Sequence, residues 1–304
     1  MRLALAGEAR AASWRLMAAK ERVRVADEVA SRFKALSEVL LQRDPAGAAP
    51  RLEARIIEGT SMTMGAEATA ARRELADARF MLNQLIGEKP DHPTEVRVEL
   101  LELAPPASLE KLLGLARQFN FGLRSRVAEV EQQGYEVQLA YNERWPSITV
   151  SPYLQKQTAS SRETQFGIGV SIPLPLWNHN KGNIQAAEAR QVQAEILLQS
   201  QLRKLEREVA SHSSAYRIYV EELAKWPPDT LASFRESAKE ADDHYRLGAL
   251  TVNTYTELQK QYVDSVNAVL DSQVGALRAR MELEQLTGQT LDGKSITVRP
   301  IAQD

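Results

Sequence analysis

The chain has 304 residues, of which 26% are charged, 43% hydrophobic and only 6% aromatic, with a formal net charge of −2. That balance leaves no electrostatic footprint for nucleic acid, and the absence of cysteine excludes disulfides, thiolate metal sites, a cysteine nucleophile and a lipidated cysteine. No apolar run approaches the roughly 20 residues of a membrane helix, while abundant Ala, Leu, Glu, Gln and Arg favour long helices in contact with water and with one another.

Val25, Val29, Phe33, Leu36 and Leu40 fall on one stripe and predict an amphipathic helix over residues 8 to 42. DPAGAAP (44 to 50) interrupts it, because Pro45 and Pro50 cannot continue a helical hydrogen-bond ladder. A short helix around Arg51 to Glu58 is expected to lead into GTSMTMG (59 to 65), read as a turn flanked by glycines. Leu75, Ala78, Leu82 and Leu85 then mark a return helix with Gly87 as its C-cap, so residues 1–90 read as a helical hairpin. Residues 91–107 read as a connector, in which Glu95 to Leu103 fits a short strand or a proline-flanked linker equally well. Ser108 opens a long helix (108–146), where Leu123, Val127, Val130, Gly134, Val137 and Tyr141 follow the coiled-coil period of about 3.5 residues. Trp145-Pro146 ends it.

Residues 147–176 change period. Ile148, Val150, Pro152 and Leu154 alternate with Thr149, Ser151, Tyr153 and Gln155; Phe166, Ile168, Val170, Ile172 and Leu174 alternate with Gln165, Gly167, Gly169, Ser171 and Pro173. Strand side chains alternate with period two, so each segment has one apolar face and one small or polar face. KQTASSRE between them reads as a polar hairpin loop. A hairpin laid on a soluble core fits this pattern, and so does a membrane β-barrel with strands of about 9–11 residues. No other convincing strand is present to pair with it, and an isolated hairpin is marginal in water, so its partners are expected from other subunits or from a missing part of the gene.

In residues 177–290 the four-three spacing returns in Leu198, Leu202, Leu205, Val209, His212, Tyr216, Tyr219 and Leu223, and again in Val263, Val266, Leu270, Val274, Leu277 and Met281. Trp226-Pro227-Pro228 breaks the first helix, Asp229 or Thr230 caps its continuation, RLGALT (246 to 251) reads as a turn, and Thr287-Gly288 ends the last helix. Residues 291–304 form a tail with a short extended segment. The fold class is therefore mainly α, built of long coiled-coil helical hairpins with one two-stranded β-hairpin.

No catalytic constellation stands out. His92, His179, His212 and His244 lack any close metal-ligand spacing, and His212 lies on the heptad stripe. Met62 and Met64 suit a soft cation such as Cu(I) in principle, but their place beside a glycine turn favours a packing role. The sequence thus offers no metal site, no cofactor and no catalytic residue, and the chain is not read as an enzyme.

Self-similarity is present at two numbering differences. Glu8 to Arg10 recurs at Glu188 to Arg190 and Glu28 to Ser31 at Glu208 to Ser211, 180 residues later; ARFMLNQLIG (78 to 87) aligns with ARMELEQLTG (279 to 288), 201 residues later. Two helix-turn-helix units are read as duplicates, the second about 21 residues longer. A hairpin preceding the first unit is then expected upstream of Met1. The N-terminus MRLALAGEARAASWR is too charged to be a signal peptide, so the chain is expected either to be cytosolic or to begin downstream of its signal, inside a larger protein.

Pro173-Leu174-Pro175-Leu176-Trp177, the following Asn180, Gly182, Asn183 and Ile184, and the Arg-Leu-Gly turn before Thr251 together resemble the TolC-like outer membrane efflux family, from about Glu8 to Gly288. The form NKGNI is most similar to its heavy-metal branch, which serves proton-driven cation exporters. The resemblance implies a homotrimer whose strands close a twelve-stranded barrel in the outer membrane, while α-barrel helices form a periplasmic tunnel. With one hairpin, three copies of this chain supply half of those strands. It implies that Ile148, Val150, Phe166, Ile168, Val170 and Ile172 face lipid. It also implies that the tip Arg246, Leu247, Gly248, Ala249, Leu250 and Thr251, with a first-copy counterpart at Gly59, Thr60 and Ser61, docks a periplasmic adaptor that links the duct to an inner membrane pump. Some members close the tunnel with acidic rings six and nine residues after the tip glycine; here those positions are Thr254 and Glu257, so only Glu257 is a candidate gate residue. A soluble coiled-coil scaffold, or a periplasmic adaptor-like protein, is the alternative reading.

Overall fold

A computed structural model describes residues 2–42, 48–96, 103–158, 162–173, 179–227 and 229–291. In chain order the elements are α1 (Arg2–Gln42), α2 (Ala48–Ile86), α3 (Leu109–Phe119), α4 (Phe121–Asn142), β1 (Thr149–Thr158), β2 (Arg162–Ser171), α5 (Lys181–Leu223), α6 (Thr230–Arg246) and α7 (Val252–Thr287). The fold is mainly helical with one two-stranded antiparallel sheet among the described residues.

Two compact units divide the chain: Met1–Gln118 with Glu208–Asp304, and Phe119–Arg207. In the first unit, α1 packs against α2 and α7, and α7 against α6. The predicted stripe of α1 is the core: Val25, Val29 and Phe33 are buried with Ile57 and Met64 of α2, Ala238 and Ala241 of α6, and Tyr255, Tyr262, Val263, Val266 and Leu270 of α7. Arg22 ties the layers together by pairing with Glu74 of α2 at 3.0 Å and with Asp271 of α7.

The structure corrects four expectations. Residues 59–65 are not a turn, because α2 runs unbroken through them for 39 residues. Each glycine inside a helix is unfavourable by only about 1 kcal/mol, and the burial of Ile57, Met64 and Ala68 along one face of α2 outweighs that. The threonine hydroxyls also stay inside the helix, Thr60 donating to Ile56 O and Thr69 to Gly65 O. The long helix predicted over 108–146 is in two pieces: Asn120 turns extended and accepts a hydrogen bond from Leu123 N at 2.9 Å, starting α4 afresh. The strands extend further than the alternation alone suggests, leaving only 159–161, outside the described residues, between them.

The fourth correction concerns the repeat. Residues that face one another in an antiparallel pair of helices are equally distant from the turn between them. Arg22 faces Glu74 and Asp27 faces Arg72, so the α1–α2 pair is centred between residues 48 and 50. Asp242 faces Tyr255 and Gln259 faces Ala238, which centres the α6–α7 pair between residues 248 and 249. Both arms of the second hairpin therefore lie about 200 residues beyond those of the first, in step with the difference of 201 that relates Gly87 to Gly288. Both of these glycines end their helices with positive φ, 78° and 67°. The matches at a difference of 180 do not fit this pairing of the helices.

The same numbering links two buried polar residues. Asn83, fully buried, donates to the carbonyls of Lys89, Pro90 and His92 and accepts from the Thr94 hydroxyl. Glu284, at the matching position of α7, pairs with buried Arg280 and accepts from Leu291 N at 3.1 Å. Each helix thus uses one inward polar side chain, four residues before its terminal glycine, to fasten the segment that leaves it. Asn83→Ala removes four hydrogen bonds made by a fully buried side chain, and a hydrogen bond of this kind contributes about 0.5–1.5 kcal/mol net. The expected loss is at the upper end of that range, read as a lowered urea midpoint with an unchanged slope.

Candidate functional site

In the second unit, β1 and β2 pair antiparallel with Val150 opposite Val170, Pro152 opposite Ile168 and Leu154 opposite Phe166. Residues directly opposite share a face, so the even-numbered apolar side chains form one continuous surface. Among the described residues nothing covers it: Ile148, Val150, Ile168, Val170 and Ile172 are exposed, and Phe166 retains 86% of its accessible surface. The opposite face carries Thr149, Ser151 and Gln155 against Ser171, Gly169 and Gln165. There Tyr153 lies across Gly167, where a methyl group would come within 2.5 Å of the ring, so the glycine leaves the space that the aromatic fills. Among the described residues each strand has a partner on one side only, which leaves a row of backbone donors and acceptors along both outer edges of the sheet. Leu174, Pro175, Leu176 and Trp177 of the strand-exit motif lie outside the described residues.

The NKGNI segment has a physical role in this geometry. Asn180 holds a left-handed φ of 60°, which asparagine tolerates better than other side chains. Its amide donates to Ala140 O at 2.9 Å on α4, its side-chain carbonyl accepts from Asn183 at 2.7 Å, and its main-chain carbonyl accepts the first helical hydrogen bond, from Ile184 N. Ile184 and Ala187 then pack on Val137 and Ala140, and Tyr141 donates to Glu188 at 2.7 Å. The motif therefore fastens the start of α5 to the end of α4. The predicted coiled-coil stripe on α4 is only partly buried: Leu123 is covered, while Val127 and Tyr141 are exposed.

At the other candidate surface, α6 ends at Arg246, Gly248 turns with φ 76°, and Thr251 caps α7 by accepting from Thr254 N at 3.3 Å. Leu247 stands 80% exposed at this helix end. Leu250, expected beside it, instead packs against the core of α1 and α7. Arg246 is held by Asp242 at 2.9 Å, and the same carboxylate accepts from the Tyr255 hydroxyl. Burial and the Asp242 charge hold that phenol above its ordinary pKa. Tyr255 stacks on Tyr245 at 4.7 Å and tilts against Phe33 at 5.3 Å, which anchors the turn from below. Glu257 is exposed and accepts from Gln261 at 3.2 Å. Gly59, Thr60 and Ser61 sit about three helical turns inside α2 and are not at a helix end. In the first hairpin α1 ends at Gln42 and α2 begins at Ala48, well before the glycine signature at 59–65. Among the described residues no group of three His, Asp or Glu side chains is arranged to hold a metal ion. Met62 is exposed while Met64 is buried in the core.

Residues 112–289 match the family model of the outer membrane efflux proteins. The chain belongs to this family. A curated relative, the cobalt-zinc-cadmium resistance protein CzcC of Cupriavidus metallidurans, is 27% identical over 175 residues, which cover 57% of this chain and 41% of the relative. The chain thus spans less than half the length of that relative. The fold is similar to a membrane protein of Pseudomonas aeruginosa (TM-score 0.76, 19% identity, 97% of this chain and 68% of the other). It is also similar to the CmeC outer membrane channel of Campylobacter jejuni (TM-score 0.75, 14% identity, 94% and 63%).

Asn180→Ala keeps neither the left-handed backbone nor the bond to Ala140, and the expected destabilisation is about 1–3 kcal/mol. Asn180→Gly restores the backbone alone and is expected to recover part of that loss, as read from thermal unfolding of the two variants beside the parent.

Proposed function

We propose that this chain is part of an outer membrane channel subunit in a tripartite efflux assembly, a passive duct from the periplasm to the exterior and not an enzyme. The observation that carries the reading is the sheet: two ten-residue strands that, among the described residues, have an uncovered apolar patch formed by Val150, Pro152, Leu154, Phe166, Ile168 and Val170 and no partner along either outer edge. In water such a face and such edges are a liability. In a bilayer the apolar face meets lipid, and only closure with further strands satisfies the edges. In this reading Ile148, Val150, Phe166, Ile168, Val170 and Ile172 face lipid, and Ser151, Tyr153, Gly167 and Gly169 face the lumen.

The helical part forms the periplasmic tunnel of a homotrimer. The α6–α7 turn, with Leu247 uncovered at its end, meets a periplasmic adaptor, which joins the duct to a proton-driven inner membrane pump. Membership of the outer membrane efflux family supports this arrangement, and the likeness to a cobalt-zinc-cadmium resistance protein favours divalent heavy-metal cations as cargo. Glu257, an exposed carboxylate nine residues after Gly248, supplies a ring of three negative charges where the tunnel narrows, attracting cations as they pass.

The two faces of the sheet make opposite predictions. In the full-length gene product, Ile168→Arg places a charge in lipid and is expected to destabilise the assembled channel by about 2–4 kcal/mol, with loss of protein from the outer membrane fraction. Ser151→Arg, on the other face, is expected to leave recovery near that of the parent. Equal recovery of both would overturn the membrane reading and favour the coiled-coil scaffold.

A further inference from the structure

Ser213, Ser214, Arg217, Val220 and Glu221 lie three and four residues apart and therefore share one face of α5. Opposite them runs the connector, with Pro105 and Pro106 leading into Ser108 at the start of α3. Both stretches belong to the first unit, and Tyr216 ties them together by donating to Ala104 O at 2.8 Å. Serine is too short to fill the space between them, which leaves a cavity of about 350 Å³. That volume is at the lower end of the range for small-molecule sites.

The polar groups around this cavity are nearly all donors. Ser213 is only 9% exposed, yet its hydroxyl has no hydrogen-bond partner among the described residues. A buried hydroxyl without a partner is unfavourable, so its place in a cavity wall points to a group that enters from outside. Arg217 reaches Glu221 only through Nε at 4.0 Å, too long for a hydrogen bond, and its other guanidinium donors have no partner among the described residues. The eleven-residue helix α3 adds its N-terminus, whose first N–H groups have no acceptor within the helix. Ser108 caps only Lys111 N, at 3.4 Å. Pro105 and Pro106 have no N–H and present apolar rings. Among the described residues lining the cavity, Glu221 is the one acid.

A cation, hydroxyl donors and a helix N-terminus beside proline rings fit an amphipathic anion. We propose that this cavity binds a small oxyanion that carries an apolar group, a phosphate monoester or a carboxylate. The oxyanion takes its hydrogen bonds from Ser213, Arg217 and the first N–H groups of α3, while the apolar group lies on Pro105, Pro106 and Val220. Bound there, it bridges the connector to α5 beside the Tyr216 hydrogen bond. Glu221 repels it and tempers the affinity.

Arg217 and Glu221 are both largely exposed, so exchanging either leaves the fold intact, and the two exchanges have opposite expected effects. In the full-length protein purified in detergent, titration calorimetry is expected to show saturable binding of phenyl phosphate or benzoate. Benzyl alcohol, which has the ring without the charge, is expected not to bind. Arg217→Gln is expected to weaken anion binding by about tenfold or more, because it removes the charge-assisted hydrogen bonds. Glu221→Gln is expected to strengthen it. Ser213→Ala is expected to weaken it while leaving the ligand-free protein at least as stable in thermal unfolding, since the hydroxyl it removes has no partner there. The tighter of phenyl phosphate and benzoate identifies the oxyanion, and either order supports the site. Benzyl alcohol binding as tightly as the anions, an affinity unchanged by Arg217→Gln, or no binding of either anion at millimolar concentration would overturn it.

Discussion

Antiparallel pairing of long helices about a short turn is the constraint on which the rest of this molecule depends. Once the turn is placed, every facing pair along both arms is fixed, because each step away from the turn on one helix must be matched on the other. Arg22 with Glu74 and Gln259 with Ala238 are consequences of where two turns lie. A residue inserted into one arm alone would slide every later pair out of register, so the two hairpins of this chain have stayed in step while their side chains diverged.

That constraint governs the helix ends as well. Gly87 and Gly288 stop their helices with a left-handed residue, and Asn83 and Glu284 reach from inside the bundle to hold the chain segment beyond each glycine. The two side chains differ in charge and use different partners, yet each pairs with backbone groups of the segment just beyond a helix end. In the second unit Asn180 has a comparable role, and its motif makes sense as a joint between a helix that ends and a helix that begins.

The sheet imposes the opposite demand. Helices satisfy their own backbone, whereas a two-stranded sheet leaves half of its outward groups without partners and here exposes its whole apolar face. The helical units are therefore self-sufficient in hydrogen bonding, and the sheet is not. This asymmetry is what makes a membrane-embedded, oligomeric duct the reading that accounts for both parts of the chain.

Much of this was legible in the residues. Period-two alternation fixed which side chains share a face of the sheet, stepwise apolar stripes located α1, α5 and α7, and the glycine signals at 87, 248 and 288 marked real helix ends. These are local signals, set by backbone geometry within a few residues. The glycines at 59 and 65 gave the same signal without the turn, because burial of Ile57, Met64 and Ala68 against neighbouring helices overrides a local preference worth only about 1 kcal/mol per glycine. Asn120 hid a break inside a continuous stripe, since a cap is decided by one side-chain hydrogen bond. By itself the sequence determined the periodicity, the strand faces and the family motifs. Only the tertiary structure decided the register between helices, the true position of the first turn and which apolar residues stay uncovered, because each of these depends on what lies across the space between elements.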